Sequence, residues 1–175
     1  MNFELKVKEI IFEGYLLTGK INDKKIIENL KKFIRENKDT DLSYKTNVKA
    51  HFTGWNSLIE NIDFNNFLKL IEPYTKLIYT KNSKLSSAWG NICKKYDKIL
   101  PHNHATVSAF CGILYLTDDG PGTFFDAYNL TVKEEVGKFI LFHPWLIHSV
   151  EEINNDIERI TVAFNVNEIK NWEDK

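Results

Sequence analysis

Three histidines and one arginine in the second half of the chain have the types and spacing to do chemistry. His102 and His104, in Pro101-His102-Asn103-His104, are separated by one residue, so on an extended strand both imidazoles leave the same face and reach one ion. His148 follows in Phe142-His143-Pro144-Trp145-Leu146-Ile147-His148, after an apolar run and a Pro-containing turn, from where a folded β-structure can return it to the first pair. Imidazole nitrogens suit first-row divalent ions, iron among them. Eleven residues beyond His148 stands Arg159, at the head of a run that alternates as a strand. Arg159, Thr161 and Ala163 fall on one face and Ile160, Val162 and Phe164 on the other. A buried guanidinium without an anion is costly. A ligand carboxylate can supply that anion through a bidentate grip, with the Thr161 hydroxyl as a further donor. Glu151, Glu152 and Glu158 are the competing partners within the chain, and at this level both readings stand.

The elements that must position these groups change character along the chain. Phe3, Leu5 and Val7, then Ile10, Ile11 and Phe12, suit one or two opening strands, with Gly14 and Gly19 as breaks. Ile26, Ile27, Leu30, Phe33 and Ile34 recur at helical intervals and predict an amphipathic helix over residues 23–37 with Asp23 as N-cap. A second helical pattern covers residues 63–80, and Pro73 inside it predicts a kink or two shorter helices. From residue 85 onward short apolar or alternating runs take over: residues 87–93, 107–116, 138–142 and 159–166, separated by turn signals at 118–122, 135–137 and 154–156. Helical periodicity first and strands afterwards predict an α+β protein: a double-stranded β-helix of the jelly-roll or cupin-like kind with helices on its outer face. The 175 residues suit a single domain, with residues 1–85 as opening strands and supporting helices and residues 86–167 as the β-helix core carrying the site.

Composition narrows the partners. The 23 Lys and Arg balance 24 Asp and Glu, so no net field gathers nucleic-acid phosphates or an anionic membrane surface. No apolar run reaches the roughly 20 residues that cross a bilayer. Cys93 and Cys111 both lie in apolar runs and read as reduced, buried thiols of a cytoplasmic protein.

In four places the sequence resembles the iron(II)/2-oxoglutarate-dependent dioxygenase superfamily, particularly its small prolyl-hydroxylase-like members from bacteria and phages. These are Trp89-Gly90-Asn91, His102-Asn103-His104, residues 108–115 (SAFCGILY) and residues 145–165, from Trp145 through His148 to Arg159 and Asn165. The resemblance implies that His102, His104 and His148 hold iron(II). It implies that Arg159 binds the far carboxylate of the cosubstrate 2-oxoglutarate, assisted by Thr161 and Tyr115, with Asn91 at the pocket. The implied activity is oxidation, of hydroxylase type, of a small-molecule or peptidyl substrate with release of succinate and CO₂. His104 departs from the pattern, which has Asp or Glu there, and the change makes the metal end more positive by one charge. Asp126 is the nearest downstream candidate for a substitute carboxylate. Two other functions fit the same barrel: a cupin-like metal site with a non-oxygenase activity, and a non-catalytic metal-binding module.

Overall fold

In the computed structural model, which describes residues 6–7, 14–39, 41–107 and 109–169, the elements follow the changing periodicity of the chain. In order they are β1 (Lys6–Val7), β2 (Leu16–Lys20), α1 (Lys24–Glu36), β3 (Val48–Lys49), β4 (His51–Phe52), α2 (Ile62–Ile78), β5 (Ser83–Cys93) and β6 (Lys98–His102). There follow β7 (Phe110–Tyr115), β8 (Thr123–Phe125), a 3-10 turn at Asp126–Tyr128, β9 (Leu130–Val132), β10 (Lys138–Phe142), β11 (His148–Val150) and β12 (Arg159–Glu168). Apart from Lys6 and Val7, the expected strands over residues 3–12 lie outside the described residues.

Asp23 caps α1 as its sequence predicts, its carboxylate accepting from Ile26 N at 3.1 Å. The second helix is capped by Asn61, and it continues through Pro73 as one helix and not as two shorter ones. Pro73 and Lys69 both lie on the exposed face, so the carbonyl that loses its partner can turn to water.

The strands form two sheets, ordered β1-β2-β10-β7-β12-β5-β4 and β3-β6-β11-β8-β9, and every described pairing is antiparallel. This is the double-stranded β-helix expected from the sequence. The interior strand β12 lies between β5 and β7, with Thr161 opposite Asn91 on one side and Tyr115 on the other. The alternation of β12 then divides the molecule. Ile160, Val162 and Phe164 join Leu30 and Ile34 of α1 and Phe64, Phe67 and Ile71 of α2 in the outer core. Each large apolar side chain buried there contributes roughly 1.5–3 kcal/mol, and that burial holds the helices to the sheet. Two glycines permit the close approach. A Cβ at Gly90 would lie 2.3 Å from Ile34 Cγ1, and one at Gly112 would lie 2.1 Å from the Phe164 ring.

Arg159, Thr161, Ala163 and Asn165 take the opposite face and line a cavity of about 420 Å³ that side chains of both sheets enclose. Ile113 faces the cavity, whereas Phe110, Phe139 and Leu141 belong to the helix-side core.

Candidate metal centre

His102 ends β6 and His148 begins β11, and the antiparallel register sets them directly opposite each other. His104 stands just beyond the end of β6, in a loop held by its backbone N–H, which donates to Pro144 O at 2.8 Å. Together the three histidines offer ligand nitrogens that all lie within 4.8 Å of one another. A small convergence of the rings brings them onto one ion at the usual metal–nitrogen distance of about 2.0–2.1 Å.

The surroundings prepare the rings for that role. His102 Nδ1 lies 2.8 Å from Leu100 O and His148 Nδ1 lies 3.0 Å from Leu146 O, so a proton on each Nδ1 serves a backbone carbonyl and leaves Nε2 with its lone pair. The His148 ring sits edge-on to Phe142 and stacked on Phe125 and His104. Burial, and then the neighbouring His102, lowers its pKa to about 3, and the same two causes lower His104 to about 4. Burial also lowers His102. All three are therefore neutral ligands near pH 7. Asp126 is exposed in the 3-10 turn and is not grouped with the histidines, so the suggested substitute carboxylate is withdrawn.

Along the cavity from the histidines lies Arg159, 1% exposed. Its anion comes from the chain itself. Arg159 Nε donates to Glu134 Oε1, and this partner is none of the three glutamates considered from the sequence. Nη1 donates to Cys93 Sγ at 4.0 Å, and the guanidinium carbon lies 5.8 Å from the Tyr115 ring centroid. Burial opposes the charge on Arg159, but Glu134, Cys93 and Tyr115 together outweigh it and raise the pKa above the ordinary arginine value. A Cβ at Gly120 would lie 2.6 Å from Glu134 Oε2, so the turn at that glycine is what admits the carboxylate. Nothing local in Lys133-Glu134-Glu135 marks Glu134 as buried; the only signal is the demand of Arg159 for an anion.

Thr161 and Asn91 face the cavity as expected, both buried, and Asn91 Oδ1 and Trp89 Nε1 have no hydrogen-bond partner within the protein. Buried polar atoms of this kind are normally satisfied, so they are free to meet a polar ligand. Tyr115 differs from the expectation. It is fully buried beside the cavity, and its hydroxyl donates to Thr123 Oγ1 at 2.7 Å, so Thr123 is the hydroxyl that lines the wall. Trp55, half-exposed, packs edge-on to Trp89 where both line the cavity.

No family model and no curated protein matches the chain in sequence. Solved structures do match. The viral collagen prolyl hydroxylase of Paramecium bursaria Chlorella virus-1, in complex with 2-oxoglutarate, superposes with a TM-score of 0.66 over 87% of this chain and 96% of that one, at 13% identity. This chain shares the double-stranded β-helix fold of that hydroxylase. The non-haem α-ketoglutarate-dependent epimerase SnoN of nogalamycin biosynthesis gives a TM-score of 0.70 at 11% identity, covering 89% of this chain and 77% of that one. HygX from Streptomyces hygroscopicus, bound to nickel, 2-oxoglutarate and hygromycin B, gives 0.65 at 12% identity, covering 89% and 82%.

Proposed function

We propose that the protein is an iron(II)- and 2-oxoglutarate-dependent oxygenase that hydroxylates a small-molecule or peptidyl substrate at the cavity. The observation that carries this reading is the convergence of His102, His104 and His148 at a cavity that Arg159, Thr161 and Asn91 also line. The donor set fits the metal, because three neutral imidazoles can ligate one ion and leave positions open for a chelating oxo acid. Iron(II) bound there supplies redox chemistry that couples the oxidation of 2-oxoglutarate to succinate and CO₂ with insertion of the second O₂ atom into a substrate C–H bond.

The chain's own groups do the rest. Leu100 and Leu146 carbonyls fix the tautomers of His102 and His148. Arg159 and Thr161 hold the far end of the cosubstrate and Asn91 accepts from a polar ligand group, while Cys111, Ile113 and Phe142 keep the cavity wall apolar. Trp55 and Trp89 give the cavity an aromatic wall against which a substrate can pack.

A cupin-like metal barrel without oxygenase chemistry is the second reading, and the Arg159–Glu134 pair is the observation that favours it, since the arginine already has an anion. Calorimetric titration of 2-oxoglutarate into the anaerobic iron(II)-loaded protein separates the two. Binding that requires the metal supports the oxygenase, and metal retention without 2-oxoglutarate binding supports the cupin-like site.

A further inference from the structure

We propose that Glu134 acts through Arg159 to set cosubstrate selectivity, so that the site distinguishes dicarboxylate from monocarboxylate 2-oxo acids only weakly. The inference rests on the cavity being a 2-oxo acid site, as argued above. Its evidence is the placement of charge. Arg159 faces the cavity, Glu134 is not among the residues lining it, and the two form a buried ion pair. Glu134 takes Nε and Cys93 Sγ takes one Nη1 hydrogen, which leaves the other Nη hydrogens to meet a ligand.

A lone buried guanidinium would attract a distal carboxylate strongly and would itself be stabilised by it. A guanidinium whose charge Glu134 already balances offers hydrogen bonds with little net field, and the nearby carboxylate repels a second one. The remaining contacts at this end are neutral: Thr161, Asn91 and Thr123. A distal carboxylate therefore gains hydrogen bonds but little charge attraction. The keto acid end of either ligand meets the histidine centre in the same way. Discrimination between the two ligands thus falls on the arginine end, where Glu134 has reduced it.

The test is calorimetric titration of the anaerobic iron(II)-loaded protein with 2-oxoglutarate and with 2-oxopentanoate, which keeps the five-carbon chain but ends in a methyl group. The wild type is expected to prefer 2-oxoglutarate by about tenfold or less, below what truncating one partner of a buried charge pair usually costs. Glu134→Gln should raise the preference by at least about tenfold, and Glu134→Asp should keep it near the wild-type value. A substitution that merely loosened the fold would weaken both ligands together and leave their ratio in place.

A wild-type preference above about tenfold, or a ratio unchanged in Glu134→Gln, overturns the inference while leaving the oxygenase reading intact. Failure of both acids to bind the iron-loaded wild type removes the oxygenase reading and this inference with it. The wild-type ratio decides even if Glu134→Gln does not fold.

Discussion

Arg159 and Glu134 form an ion pair with side chains 1% and 0% exposed, which joins the head of β12 to the segment between β9 and β10. Its partners are far apart in sequence, so it ties the arginine end of the cavity to the turn containing Gly120. Removing one member leaves the other charged and dry. Arg159→Leu is expected to destabilise the protein by about 3–5 kcal/mol, whereas the double change Arg159→Leu with Glu134→Leu recovers most of that loss. Urea denaturation of the single and double variants measures both. A single variant as stable as the parent would mean that the pair carries no such weight.

The histidine centre makes a separate prediction about metal. His148→Ala and His102→Ala each remove a ligand nitrogen whose ring is oriented by a backbone carbonyl. Each should lower the affinity for iron(II) or nickel(II) by more than the 10–100-fold typical of losing a supporting group around a metal ligand. Titration with a competing chromophoric chelator reports the change. His51→Ala, outside the centre, should have no effect on the metal.

Acid should weaken the metal-free fold through the same rings. His104 and His148 have pKa values of about 4 and 3 in the folded protein, against 6.5 for the free imidazole. Between these limits the unfolded chain binds more protons, so stability is fully present above pH 6.5 and falls as the pH drops toward 4 and then 3. Replacing His104 by Gln removes one of these groups. The loss of urea midpoint between pH 7 and pH 5 should be smaller in His104→Gln than in the wild type.

Packing between helices and sheet depends on the absence of two side chains. Gly112→Ala drives a Cβ to 2.1 Å from Phe164, in a layer where the ring also meets Phe64 and Phe67. The expected cost is about 1–3 kcal/mol, seen as a lowered denaturation midpoint. Gly14→Ala, whose nearest contact would be 3.6 Å away, should leave the midpoint unchanged.

What could be read from the sequence follows the range of the forces involved. The α1 helix, its Asp23 cap and the division of β12 into a helix face and a cavity face are local patterns, carried by the helical spacing of residues 26–34 and the alternation of residues 159–164. The histidine group was also legible, because two of its members are neighbours in sequence and the third follows a strand and a turn. Strands β8, β9 and β11 have three residues each, too few to show a period, and their pairing depends on one another and on β6 within the five-stranded sheet. Glu134 reads as part of a solvated turn because its burial depends on Arg159 and Gly120, both distant in the chain. Tyr115 was placed on the right strand, but the direction of its hydroxyl follows from Thr123 on the facing sheet.

Under the proposed function, the three histidines bind iron(II) and 2-oxoglutarate chelates that iron while its far end meets the arginine wall. Anaerobic addition of 2-oxoglutarate to the iron(II)-loaded protein, followed in the visible region, tests it most directly. The expected result is a metal-to-ligand charge-transfer band that saturates with the oxo acid, and that is absent from His148→Ala. Iron bound at the histidines, with no band at any 2-oxoglutarate concentration, would contradict it.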